Sequence, residues 1–207
     1  MRAIDLLNDN LVIIGAGGHG RVCAEIASLM GYQKIVFLDD CLKGNGAVVG
    51  KTQDIPLYLR GYDYFVGLGS NTLRKTFYER IKVLGGTVAT LIHPNSIISK
   101  TAVIGEGSVV MAGAVVNPGA ELGRGVIVNT CSSADHDCRL KDFCHIGVGA
   151  HLAGTVEIGE TSFIGAGTAI INNIMIGDGI TVGAGAAVVR DLTEAGTYVG
   201  APARKIK

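Results

Sequence analysis

The sequence predicts two domains, a small parallel α/β domain followed by a parallel β-helix. Three observations carry this: a six-residue period through the second half, a strand, glycine turn and helix pattern repeated in the first half, and an unusual composition. The chain has 31 glycines, no tryptophan and 5% aromatic residues among 207 positions. That length fills one ordinary domain or two small ones. So few aromatic side chains argue against a layered aromatic core, and so many glycines argue for repeated tight turns.

The period is read from Ile98. Every sixth residue from there is Ile98, Ile104, Val110, Val116, Leu122, Val128, Ala134, Leu140, Ile146, Leu152, Ile158, Ile164, Ile170, Ile176, Val182 and Val188. Only Ala134 is not a large aliphatic, and Gly often follows, as at Gly105, Gly123, Gly147, Gly159, Gly165, Gly177 and Gly183. A hexad with one large inward residue fits a short strand and a turn. Three hexads close one triangular coil, so sixteen give slightly more than five coils. Positions one and five lie an even number of residues apart and both face inward, the large residue filling the centre and a small or β-branched one the corner. No inserted loop interrupts the hexads, and the chain ends in TYVGAPARKIK.

In the first half, LVIIGAGGHGRVCAEIASLMGY reads as a buried strand, a glycine turn and an amphipathic helix, followed by the strand KIVFLDD. Gly15, Gly17 and Gly20 match GxGxxG, and Asp39 and Asp40 stand where a Rossmann-like βαβ unit places its ribose-binding acid. YDYFVGLGSNTLRKTFYERIKVLGG repeats the pattern, with Leu73, Phe77 and Ile81 as the expected apolar stripe of its helix, and TVATLIHP supplies a further strand. Ligands of such a domain sit at the carboxyl ends of the strands, near Gly15 to Gly20, Asp39, Asp40 and Gly69. The domains are therefore placed at 1–94 and 95–207. A dinucleotide is a poor fit, because a β-helix leaves no room for a dehydrogenase's catalytic domain.

Eighteen basic and eighteen acidic residues balance, so no net field favours nucleic acid or an anionic membrane, and a small-molecule partner is expected. The N-terminal apolar run is too short for a signal peptide or membrane span, which gives a cytoplasmic expectation. Five cysteines without a CxxC pair argue against a disulfide framework or metal site. Cys138 and Cys144 fall at inward position five, where a nucleophile is out of reach.

GAGGHG, a strand ending FLDD, a GSN turn and a hexapeptide helix containing NTCSSADHDC, in that order, resemble the bacterial nucleotide-amino-sugar acetyltransferases. That group includes the UDP-4-amino-sugar N-acetyltransferases of the bacillosamine pathway and is related to sialic acid O-acetyltransferases. The resemblance spans nearly the whole chain. It implies a left-handed helix, acetyl-CoA as co-substrate with no metal, and a homotrimer acting on a nucleotide-linked amino sugar. It also implies His136 as general base with Asp137 raising its basicity, where the bacillosamine-pathway enzymes carry the longer Glu. His145, Ala166 and Ala184 are implied to contact acetyl-CoA, and Gly17, Gly18, His19, Asp39, Asp40 and Gly69 to hold the nucleotide sugar, with Asn129 a further sugar contact.

Elementary chemistry agrees with the base. A sugar ammonium must lose a proton to attack a thioester, an imidazole titrates in the right range, and an adjacent carboxylate favours the imidazolium. His136, third in its hexad, faces outward, as does His145, sixth in its own. They lie half a coil apart, with faces of about 20 Å, so they meet at one acetyl group only across a subunit boundary. The favoured acceptor is the 4-amino group of a UDP-linked 4-amino-4,6-dideoxy sugar. Alternatives are a sialic acid hydroxyl, a GDP-linked amino sugar, and a non-catalytic trimer that only binds nucleotide sugars.

Overall fold

The computed structural model describes residues 8–41 and 47–207. It divides into two compact units, one ending at Leu91 and one running from Ile92 to Lys207. Among the described residues no helix is long and apolar enough to cross a membrane.

In the first unit β1 (Asn10–Ile14), β2 (Lys34–Leu38), β3 (Val48–Gly50) and β4 (Asp63–Val66) form one parallel sheet in the order β3-β2-β1-β4. Leu11 to Ile14 are fully buried, which is why β1 reads as an unbroken apolar run rather than an alternating one. α1 (Gly18–Met30) follows β1 and buries Gly20, Cys23, Ile26 and Ala27 along one stripe. Gly31 ends it in the left-handed conformation with φ 108°. α2 (Asn71–Val83) follows β4, with the Ser70 hydroxyl accepting from the Leu73 amide as its N-cap.

Two expectations are corrected here. The buried stripe of α2 is Arg74, Tyr78 and Ile81, whereas Leu73 is 51% exposed. A strict fourfold spacing drifts around the helix, and the spacing of four then three keeps to one face. TVATLIHP does supply a short strand, Leu91–Ile92, but it pairs into an eight-stranded sheet and not into this one. Val88 makes a single parallel bridge to Tyr64, through Tyr64 N–H to Thr87 O and Ala89 N–H to Tyr64 O.

The second unit is a left-handed parallel β-helix whose short strands stack into three sheets of five, eight and six strands. Glu121 pairs with Val103 below and Arg139 above, and Leu122 with Ile104 and Leu140. The same step of 18 residues relates Asn117 to Asp135 and Ser133 to His151. The ladder continues past the last hexad, since Thr197 and Tyr198 pair with Thr181 and Val182. The helix thus has about six coils, more than the hexads alone suggest.

Hexad positions one and five fill the core. Val128, Ile146 and Ile164 at position one are fully buried, as are Ala120, Cys138, Cys144 and Val156 at position five. Polar residues at position five are satisfied locally. Ser108 Oγ donates to Gly123 O at 2.9 Å and accepts from Val126 N–H at 2.9 Å, and Ser162 repeats this with Gly177 and Ile180.

Position four makes the corner. From Gly107 to Gly185 every residue at that position has positive φ, and eight of them are glycine. The other six are Cys131, Asp137, Phe143, Thr155, Thr161 and Asn173. A side chain there is held in a region that only Asn, Asp and Gly visit readily, so the stacking of adjacent coils fixes the turn.

Candidate functional site

Because β1 is flanked by β2 on one side and β4 on the other, the chain reverses its direction of travel at the carboxyl end of β1. That makes a crevice at the topological switch point. Three glycines there are structural. Gly15 has φ 96°, a Cβ on Gly20 would lie 1.9 Å from Gly15 O, and a Cβ on Gly67 would lie 2.8 Å from Gly20 Cα. Gly17, Gly18 and Gly69 differ, since a Cβ on any of them would meet nothing within 4 Å. Folding does not require glycine at these three positions, and their bareness leaves the backbone open to a close-lying ligand. Gly17 is the N-cap of α1 and makes no side-chain cap hydrogen bond, and a helix N-terminus favours an anion.

Asp39 stabilises this turn from the end of β2. Its carboxylate accepts from Ala16 N–H and from Cys41 N–H, both at 2.8 Å. Asp40 faces elsewhere, accepting from Thr52 N–H at 2.9 Å and Thr52 Oγ1–H at 2.8 Å. The structure therefore brings Asp39 together with the glycine turn and ties Asp40 to the start of the 3-10 helix Thr52–Tyr58. His19, in the first turn of α1, has its pKa pulled down to about 4 by burial and then by the nearby Arg74 charge. It is neutral at physiological pH and serves as a hydrogen-bonding group rather than a cation. Its Nε2 lies 3.7 Å from Cys23 Sγ, a thiol that burial pushes up to about 12 and so keeps unreactive.

Arg74 is a site residue that the sequence does not reveal. Its side chain is almost wholly buried, donating to Leu68 O at 3.0 Å, Gly69 O at 3.4 Å and Asn71 Oδ1 at 2.9 Å. It clamps the Gly69 loop from beneath. A charged residue within an apolar helical stripe is the available signal.

On the β-helix, His136 and Asp137 occupy positions three and four of one corner. His136 Nδ1 lies 2.9 Å from Asp137 Oδ2, with the imidazole side chain 57% exposed. A carboxylate can only accept, so Nδ1 carries the proton and Nε2 presents a lone pair. The hydrogen bond to Asp137 leads the causes that raise the His136 pKa. The left-handed backbone at Asp137, φ 58°, turns its carboxylate back toward the ring. Gly119, one coil below, keeps that place clear, since a Cβ on it would fall 2.3 Å from Asp137 Oδ1.

Two further residues complete this corner without a local sequence signal. Asp135 Oδ1 accepts from His136 N–H and from Asn117 Nδ2–H, both at 2.7 Å. The Asn117 bond, then the His136 amide, hold the Asp135 carboxyl below its usual range. His136 thus stands between two carboxylates, and only the 18-residue step from Asn117 to Asp135 points to the pair.

His145 lies on the eight-stranded sheet and is not open as its outward hexad position suggests. It is 8% exposed, with its ring edge-to-face with Phe163 at 5.0 Å. Asn129 Oδ1 accepts from Thr130 N–H at 2.8 Å, which orients its Nδ2 to donate to His145 Nε2 at 3.1 Å. Within the chain Asn129 therefore meets His145, while His136 belongs to a corner beside the six-stranded sheet. Ala166 and Ala184 are exposed and stacked one coil apart, with Gly185 N–H donating to Ala166 O at 2.8 Å. Beside them Gly167 and Gly185 face open space, so the ridge is bare and its backbone reachable.

Cys138 and Cys144 are fully buried in the helix core, and burial raises the Cys138 thiol further. Neither can attack a ligand on the surface.

Comparison with known proteins finds relatives over both units. Residues 10–81 match the PglD N-terminal domain. The GDP-perosamine N-acetyltransferase of Escherichia coli O157:H7 is 30% identical over 162 residues, 73% of each chain. This decides the family. The chain belongs to the hexapeptide-repeat nucleotide-amino-sugar acetyltransferases. Within that family it is 37% identical over 105 residues to the UDP-N-acetylbacillosamine N-acetyltransferase of Bacillus subtilis (strain 168), covering 47% of this chain and 49% of that one. Among solved family structures, the acetyltransferase domain of PglB from Neisseria gonorrhoeae FA1090, in complex with acetyl coenzyme A, superposes with TM-score 0.93. It is 46% identical, and the match covers 96% of this chain and 100% of that one. PerB from Caulobacter crescentus, in complex with CoA and GDP-perosamine, superposes with TM-score 0.89 at 37% identity, covering 96% and 97%.

Proposed function

We propose that this acetyltransferase moves the acetyl group of acetyl-CoA to the 4-amino group of a UDP-linked 4-amino-4,6-dideoxy sugar, with His136 as general base. The observation that carries the reading is the exposed His136–Asp137 pair, whose 2.9 Å hydrogen bond leaves Nε2 as the proton acceptor. The amine gives its proton to Nε2 as its nitrogen bonds to the thioester carbonyl carbon. The C–S bond then breaks, and the coenzyme leaves as a thiolate that is reprotonated to the thiol. Asp137 stabilises the imidazolium, and a positioned amine needs no acyl-enzyme intermediate. Acetyl-CoA is a substrate here, and the bare ridge at Ala166 and Ala184 suits a ligand that bonds to backbone groups. His145 is its polar contact, oriented by Asn129.

The strand-end crevice takes the nucleotide sugar. Gly17, Gly18 and Gly69 admit the backbone approach, the N-terminus of α1 favours phosphate, and neutral His19 supplies a hydrogen bond. Asp39 holds the turn through Ala16, and Asp40 acts through Thr52. The working form is a homotrimer, because His136 and His145 of one chain lie on different faces of the coil.

A GDP-linked amino sugar is the second reading, supported by the two perosamine N-acetyltransferase relatives. The test is thiol release from acetyl-CoA with UDP-, GDP- and CMP-linked amino and hydroxy sugars, run beside His136→Ala. Turnover with a UDP-amino sugar, lost in the variant, is expected. Turnover confined to a GDP-amino sugar overturns the choice of uracil as the nucleobase, and a folded trimer that turns over nothing overturns the enzyme reading for this acceptor class.

A further inference from the structure

We infer that Gly154 is a positioning residue for His136, keeping vacant the space into which the imidazole must lie for Nε2 to reach an amine. Gly154 stands one coil above His136 at the same hexad position. A Cβ built on it would lie 2.3 Å from His136 Nε2, 2.4 Å from Cε1 and 2.9 Å from Cδ2. A methyl group there overlaps the whole exposed edge of the ring, including the one nitrogen whose lone pair is free of Asp137.

Neither backbone conformation nor backbone packing requires glycine at this position. Gly154 is not among the residues with positive φ. No backbone atom is among the three nearest neighbours of the built Cβ, all of which belong to the imidazole. Glycines elsewhere in the helix are different. A Cβ on Gly159 would meet Gly177 C at 2.3 Å and Asp178 N at 2.4 Å, which is unyielding backbone. At Gly154 the obstacle is a side chain, which moves. An alanine there is accommodated by rotating the ring away, and that rotation breaks the 2.9 Å contact between Nδ1 and Asp137. The substitution therefore disturbs the fold little and displaces the base.

This rests on His136 being the base, and the experiment separates the two claims. The imidazole titration of His136 is followed by NMR in wild type and Gly154→Ala, the resonance assigned by its loss in His136→Ala. Expected is a His136 pKa that drops toward the ordinary imidazole value in Gly154→Ala, whether or not the acceptor has been identified. With an acceptor in hand, kcat falls roughly tenfold to a hundredfold, while KM for acetyl-CoA changes less than about twofold. An unchanged titration overturns the inference, and so does an unchanged kcat. A moved titration beside full turnover in His136→Ala supports Gly154 as positioning the ring and refutes the base assignment instead. Thermal melting supplies the control. In a His136→Ala background Gly154→Ala should leave Tm unchanged, because the added methyl then has room. An equal loss of Tm in both backgrounds makes Gly154 a backbone requirement and overturns the inference.

Discussion

His136 is an imidazole whose two nitrogens have been given separate work. Asp137 accepts the hydrogen bond from Nδ1–H and raises the ring's pKa, so the unprotonated base forms only as pH rises through that raised value. The acid limb of kcat/KM should therefore lie above the ordinary imidazole value of about 6.5. Asp137→Asn removes the carboxylate, so the limb should shift to lower pH and kcat should fall, as a pH profile from about pH 5 to 9 will read. An unmoved limb would mean that another group titrates. His136→Ala should lower kcat by about a hundredfold to ten-thousandfold. Cys138→Ala, deep in the core, should retain kcat within about twofold, since a buried thiol raised in pKa has no access to substrate. Stability also has a sign: with its folded-state pKa raised, His136 contributes stability below the unfolded imidazole range and loses it as pH rises through the folded value.

At the scale of the element, one hexad repeats a single solution, and its glycines fall into classes that composition does not separate. Gly159→Ala drives a methyl into the backbone of the next coil and should cost about 1–3 kcal/mol by chemical denaturation, with no vacancy to relieve it. Ile164→Ala removes a fully buried position-one side chain and should cost about 2–5 kcal/mol on the same assay. The core positions are legible because burial recurs at a fixed spacing and each aliphatic is chosen by its own hexad. His136 and Asp137 are legible through their motif. Gly154, Gly119 and Asn117 are not, because what they do depends on a residue 18 positions away, across a coil boundary that no local pattern marks. In the α/β unit, Gly15 and Gly17 look alike in GxGxxG, yet only Gly15 has a backbone that needs glycine. The α2 stripe is obscured for a related reason. Arg74 occupies an inward position that a hydropathy count assigns to an apolar residue, and its carbonyl partners at Leu68 and Gly69 come from the preceding loop.

For the molecule as a whole, the C-terminal segment closes the stack. Thr197–Val199 pairs with the coil below, Arg204–Lys205 returns antiparallel against it, and Ala203 and Tyr198 enter the core. A solenoid needs such a terminal cover. Truncation after Glu194 should expose the Thr181–Val182 edge and the apolar interior, lowering Tm and promoting aggregation in light scattering. The order of elements, βαβ then hexads, is readable end to end, because each is a local pattern. Oligomeric state is not readable in this way, because no local repeat encodes it.

From Ile98 to Val188 the 18-residue step is constant and makes the helix a ruler. Position along the chain converts directly to altitude, one storey of roughly 4.8 Å for each coil, with compass bearing preserved. Ala166 and Ala184 share a bearing and differ by one storey, and Gly154 stands directly over His136. Excising one full storey would keep every remaining side chain pointing as before and lower everything above the cut by that single increment. Excising one hexad would instead rotate the upper floors by a third of a turn and move their ridges to another side of the prism. Such a scaffold can change how far apart two surface groups stand without redesigning either, a freedom that a globular core, where each length change disturbs every contact, does not offer.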